Sequence, residues 1–220
     1  MNNTKLFNYF VLVINTTHNI QIVKKPEYIT WNYISKVIYA SHAQNRANGL
    51  DIRNAHLTGD DLQESLGDDG ECFVALNDKD EVVGTCSVAF HQLNRWYAKG
   101  RYAYLTLDAV LPLYTGCHIY SKLSHVRQNF IEDNVCDGMY INIAEGNYLR
   151  RKIAQKEGFK QIELRRTLYN AHYYLVYIKW FNKKHHPFFI NIAFLYSSIK
   201  LKILLFFKDH VLWIKHRRLS

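Results

Sequence analysis

Three side chains stand at or near the ends of strand-like runs, where a proton could be taken from a substrate. Asp108 lies near the end of Tyr102–Leu111, Glu145 follows Met139–Ala144, and His91 comes just past the run that begins at Glu81. A carboxylate or imidazole within hydrogen-bond reach of a reacting N–H acts as a general base. Arg53, Asn54 and His56 form a second polar group, in a loop between two helical stretches. With His91 they are the residues suited to hold a substrate carboxylate, phosphate or hydroxyl. Each has a plainer reading: a solvated carboxylate for Asp108, a charge near the following helix N-terminus for Glu145, a structural histidine for His91, an ordinary loop for the cluster. A zinc site is not indicated. Cys72, Cys86, Cys117 and Cys136 contain no C-x-x-C pair, and the histidines near them lack ligand spacing.

The elements that must position these groups follow from pattern. Ile20–Lys24 alternates as a strand and Pro26 closes it. Thr30 is an N-cap for a helix whose apolar face is Trp31, Ile34, Val37 and Ile38, stopped by Asn48-Gly49. Thr58 and Asp61 have capping-box spacing for a second helix, with Leu62 and Leu66 facing inward. Cys72–Leu76, Glu81–Phe90 and Tyr102–Leu111 read as three antiparallel strands, and Ile119, Leu123, Val126 and Phe130 as one helical stripe. A strand over Met139–Ala144 and a basic helix from about Asn147 to Glu157, closed by Gly158, come next. Phe159–Leu164 and Tyr173–Trp180 read as the last two strands.

The 220 residues suffice for one domain and an appendage. The net charge of +9 is uneven: residues 182–220 carry eight Lys and Arg against Asp209, so the tail holds +7 and the body +2. Scattered cysteines without an evident signal peptide point to a reducing, cytoplasmic setting. The apolar run Leu6–Ile14 is too short to span a bilayer and lacks a small-residue cleavage site after it, so residues 1–19 read as a leader or an extra strand.

The element order, together with Val110-Leu-Pro-Leu-Tyr-Thr-Gly-Cys-His-Ile-Tyr-Ser-Lys-Leu123, resembles the GNAT superfamily of N-acetyltransferases. In that family a strand ends in V-x-P and passes through R-G-x-G-x-G into a helix. Here Gly116 keeps one glycine, while Thr115 replaces the Arg, and His118 and Tyr120 fill the two later glycine positions. Farther on the family has Asn, ten residues, then Gly-Phe, and Asn147 with Gly158-Phe159 keeps that spacing. The resemblance covers roughly residues 20–180. It implies an α/β fold over 20–181, with a central mixed, mostly antiparallel sheet flanked by helices; residues 182–220 read on their own pattern as a basic amphipathic helical tail.

It also implies a chemistry: acetyl transfer from acetyl-CoA to an amine. Thr115, Gly116, Cys117, His118, Ile119, Tyr120 and Ser121 would cradle the coenzyme pyrophosphate on backbone N–H groups at a helix start. The oxyanion donor would come from the strand end around Ala109–Val110. Asn147 corresponds to a coenzyme contact and is equally suited to cap the helix. The family's tyrosine acid falls at Ala154, which leaves Tyr148 and Tyr120 as substitutes. Asp108, Glu145 and Tyr148 are thus the expected catalytic set. A degenerate body with a basic aromatic tail is similar to GNAT-like proteins of bacterial surface-polysaccharide synthesis, which implies an amino-sugar acceptor. The alternative is a non-catalytic GNAT-fold protein that binds acyl-CoA or a protein partner.

Phe188–Phe207 is apolar at fifteen of twenty positions, but Lys200 and Lys202 argue against a spanning helix. Asn191, Ser198, Lys202 and Asp209 share one arc, with Lys200 on the opposite face. Lying in the membrane interface at the inner face, packing on the domain and forming a homodimer contact are the readings that remain. Nucleic-acid binding is disfavoured, because the aromatics form an apolar stripe rather than a stacking platform.

Overall fold

A computed structural model of the chain describes residues 19–50, 52–166, 173–181, 191–192, 195–200, 202–203 and 206–207. The expected leader and much of the tail lie outside these residues. Strand β1 is Gln21–Lys24, followed by helices α1 (Trp31–Ser41), α2 (Ala43–Ala47) and α3 (Gly59–Glu64). Strands β2 (Glu71–Leu76), β3 (Val82–Arg95) and β4 (Ala98–Val110) form a meander. Helix α4 (Ile119–Asp133), strand β5 (Gly138–Ala144), helix α5 (Tyr148–Lys156) and strands β6 (Lys160–Arg166) and β7 (Tyr173–Trp180) complete the described body.

Among the described residues, seven strands form one sheet in the order β1-β2-β3-β4-β5-β7-β6. All neighbours are antiparallel except β4 and β5, which are parallel and joined across α4. Helices α1 and α3 pack Ile34, Ile38 and Leu62 against Val74, Leu76 and Leu107 on one face. On the other face α5 places Ala154 on Leu105, Ile141 and Ile143, while α4 sets Ile119 and Leu123 on Phe73 and Val83.

Local chemistry fixes the helix starts. The Thr30 hydroxyl accepts from the Tyr33 N–H (3.2 Å). Thr58 and Asp61 make both capping-box bonds, at 3.2 and 2.9 Å. Gly59 is required by close approach, since a Cβ there would sit 2.6 Å from the backbone nitrogen of Asn32.

Two elements differ from the pattern reading. The first helix breaks at His42 instead of running to Asn48. The Ser41 hydroxyl there donates to the Ile38 carbonyl (2.7 Å), a local bond that competes with the helix ladder. The β3–β4 hairpin runs on through residues 91–101, with its turn at Trp96 and Tyr97, so His91 lies within β3. Burial fades toward the end of β3, and the alternation that marks a half-buried strand fades with it.

Candidate functional site

Strands β4 and β5 pair only from Tyr102–Gly138 to Leu105–Ile141. Beyond that point they part. On its other side β4 stays paired with β3 up to Val110, but its register slips between Thr106 and Ala109, where it carries one residue more than β3. Leu107 in this bulge has φ +55° although its side chain is buried, a rare conformation for a bulky residue that persists only when its surroundings impose it. The bulge bends β4 away from β5. It leaves the backbone from Thr106 onward without a β5 partner and opens a cavity of about 120 Å³ between the strand ends.

One wall of this cleft is charged. The Asp108 carboxylate pairs with the Arg127 guanidinium of α4, and with Nη2 of Arg150 on α5 at 3.2 Å. Arg127 also donates to the Ser87 carbonyl (3.2 Å), and Arg150 reaches Glu157 (3.3 Å). Arg127 is fully buried. Burial opposes its charge, and Asp108 more than offsets that, holding the guanidinium above its usual range. The Arg150 guanidinium lies 5.2 Å from the Tyr120 ring centre. Tyr120 Oη and Arg150 Nε are both buried and, among the described residues, have no hydrogen-bond partner. Burial, then the negative charge of Asp108, keeps the Tyr120 phenol protonated well above its ordinary range.

The opposite wall is neutral. Asn54 donates to the Thr106 hydroxyl (3.1 Å), and Asn142 Nδ2 donates to the Tyr104 hydroxyl (3.3 Å). Asn142 Oδ1 is buried with no partner among the described residues. Behind Tyr104, the His91 ring stacks at 5.4 Å and its Nδ1 meets the Tyr140 hydroxyl at 2.5 Å. His42, at the break between α1 and α2, also lines the cavity, and its Nδ1 lies 3.1 Å from Asn45 Nδ2. Burial, and then Arg46, lower the pKa of His42 against a weaker opposing pull from Asp108. Burial likewise lowers that of His91. Both imidazoles are therefore neutral at neutral pH.

The structure gathers some of the sequence-predicted residues here and leaves others elsewhere. Asp108, Asn54 and Asn147 line the cleft, and the Asn147 side chain caps α5 by accepting from the Arg150 N–H (3.1 Å). Ala109 and Val110 lie past the bulge, paired with Thr85 and Gly84 of β3. Thr115, Gly116, Cys117 and His118 form an exposed turn, with φ +87° at Gly116 and +58° at His118. A Cβ at Gly116 would meet nothing within 4 Å, so the turn's surface is open there. The first helical N–H to find a partner is that of Lys122, bonded to the His118 carbonyl (3.1 Å). The N–H groups ahead of it have no intrahelical acceptor. Ile119 is buried in the core, while Tyr120 and Ser121 line a second cavity of about 470 Å³ beside α4, together with Arg127 and Leu105. Leu105 lines both cavities, and the Asp108–Arg127–Arg150 cluster stands between them.

Five of the predicted catalytic and substrate-binding residues fall outside the cleft or cannot be placed in it. His91 sits behind Tyr104 and lines neither cavity. Glu145 follows β5, its N–H bonded to the Tyr173 carbonyl (3.0 Å), and its side chain does not line the cleft. Tyr148 is 73% exposed beneath Arg151 and lines neither cavity. His56 packs edge-on against Tyr39, away from the cleft. Arg53 lies in a 3-10 turn, and its side chain is outside the described residues. Pattern reading missed His42, Tyr104, Thr106, Asn142, Arg127 and Arg150. A signal for Arg127 was present, because it sits at four-residue steps from Leu123 and Ile131 on the buried side of α4.

No protein-family profile matches the chain, and no curated protein does. Solved structures do. Arabidopsis thaliana NAA60, crystallised with a bisubstrate analogue, is 15% identical, with a TM-score of 0.53 over 74% of this chain and all of its own. A GNAT-family acetyltransferase from Staphylococcus aureus is 19% identical, with a TM-score of 0.55 over 74% of this chain and 99% of its own. A chain of the NatC complex bound to Gag peptide and CoA gives a TM-score of 0.57 at 13% identity, over 74% of this chain and 99% of its own. Identities this low speak to architecture alone. With its mixed sheet parting between β4 and β5, this chain has the fold of the GNAT acetyltransferases.

Proposed function

We propose that the protein is an acetyl-CoA-dependent N-acyltransferase whose acceptor is a small-molecule amine, an amino sugar of a cell-surface polysaccharide precursor. The observation that carries this is the parted β4–β5 cleft, its unpaired β4 backbone standing beside an open turn at a helix start. The residues present fit the coenzyme: N–H groups at the start of α4 suit a diphosphate, Gly116 leaves room for close approach, and the cleft beyond Leu105 is open.

Bound acetyl-CoA would supply the thioester carbonyl. The β4 N–H groups after Leu105 are the donors for its oxygen. His42, neutral and lining the cleft, takes the amine proton as the N–C bond forms. The C–S bond breaks in the same step and the leaving thiolate takes its proton from water; Tyr120, protonated and without a described partner, lines the second cavity across the charged cluster, so we assign it no proton transfer. Asp108 is already held by two guanidinium groups, so we assign it the positioning of α4 and α5 rather than proton transfer. The amide and hydroxyl groups of Asn54, Thr106, Tyr104 and Asn142 suit a hydroxyl-bearing acceptor.

The second reading, a non-catalytic acyl-CoA-binding protein, is favoured by one observation: Asp108, the carboxylate that lines the cleft, is already held by Arg127 and Arg150. The test is acceptor-dependent release of free CoA thiol, with amino sugars set against a peptide N-terminus. Release with amino sugars supports the proposal. Coenzyme binding without release for any acceptor supports the second reading.

A further inference from the structure

Beyond the acetyl-transfer reading, a surface outside the cleft has its own chemistry. The described residues between 191 and 207 are all helical. Ser197 is buried, its hydroxyl accepting from Gln161 Nε2 of strand β6 at 3.4 Å. Ile192, Leu195, Tyr196, Ile199, Ile203 and Phe207 are 41–62% exposed. Counted at about 100° per residue, these six fall within an arc of about 120°. Ser197 lies well outside that arc, and Asn191 and Ser198 lie beyond its margin. Ser197, the described residue that meets β6, is therefore on a different side of the helix from the six, and the exposed apolar stripe faces away from that contact. Lys200 lies just past one margin of the arc and Lys202 just past the other, so Lys200, which the sequence pattern set on a separate face, flanks the apolar stripe symmetrically with Lys202.

We propose that this outward stripe docks flat on an anionic lipid bilayer, with Lys200 and Lys202 reaching the headgroups on either side. An apolar face bounded by two lysines matches the interface, where acyl chains take the stripe and anionic headgroups take the ammonium groups on flexible stems. The excess of +7 over residues 182–220 adds a field of the same sign. A protein partner would explain the apolar stripe but not a lysine at each margin. No described helix is long and apolar enough to cross a membrane.

The test is co-sedimentation of the full chain with sucrose-loaded vesicles, either of phosphatidylcholine alone or with one third phosphatidylglycerol. The protein partitions onto the anionic vesicles, and added salt weakens the binding. Lys200→Gln/Lys202→Gln lowers the partition coefficient about 30-fold, or ~1 kcal/mol per lysine. Ile199→Asp/Ile203→Asp abolishes it, while far-UV circular dichroism and acetyl-CoA binding stay unchanged. No partition of the wild-type chain at low salt, or equal partition of wild type and the lysine variant, overturns the proposal. So does a lipid-free dimer that Ile199→Asp converts to monomer, which would make the stripe a contact between copies of this chain.

Discussion

The two walls of the β4–β5 cleft are held by different physics. On one side three charged groups, Asp108, Arg127 and Arg150, tie β4 to α4 and α5 inside the protein. On the other, neutral amides, hydroxyls and stacked rings run from Asn142 through Tyr104 to His91 and Tyr140. The charged wall has its strong acceptors occupied, since both oxygens of Asp108 are taken by guanidinium groups. Asn142 on the neutral wall has a carboxamide oxygen with no partner among the described residues. Buried ions without partners are costly, so charge in such a place is spent on fixing geometry. A spare neutral acceptor costs less to keep and is free for a ligand.

The largest expected effect comes from breaking the charged wall. Asp108→Ala leaves Arg127 buried without a counter-charge and costs about 3–5 kcal/mol of stability, read from denaturant unfolding. A loss below about 1 kcal/mol would mean that Arg127 finds water, and that the wall is not a structural tie. Breaking the neutral wall gives the opposite profile. Asn142→Ala lowers kcat/KM for the amine roughly 10- to 100-fold, while stability changes by less than about 1 kcal/mol and coenzyme affinity is unchanged. An unaltered kcat/KM would remove Asn142 from the acceptor site.

The smallest effect is in pH. Burial holds His42 and His91 below the ordinary histidine range, so below about pH 6.5 the unfolded chain binds more protons than the folded one. Their contribution to stability is complete above that pH and is lost as pH falls through the folded-state values. His91→Gln, scored by thermal midpoint between neutral and mildly acidic pH, should flatten the decline. An unchanged slope would assign the acid sensitivity elsewhere.

The contrast also explains what could be read in advance. The order of elements along the chain, the Thr58–Asp61 capping box and the core stripe of α4 follow from local patterns of period and capping, and the structure has them. Asp108, Asn54 and Asn147 were legible as polar residues at element ends, and all three line the cleft. Tyr104 and Asn142 were not, because a polar side chain inside a strand looks like any solvent-facing alternation until the neighbouring strand parts from it. His42 needed the helix break to be known. Arg150 looked like one more charge on a basic helix, and only the approach of α5 to β4 gives it Asp108 as a partner.

Isothermal titration of the full chain with acetyl-CoA, beside a Gly116→Trp variant, tests the central claim most directly. Saturable binding by the wild type, weakened at least about tenfold by the variant, would support coenzyme binding at the open turn before α4. No binding at millimolar coenzyme, or equal binding by both proteins, would contradict it.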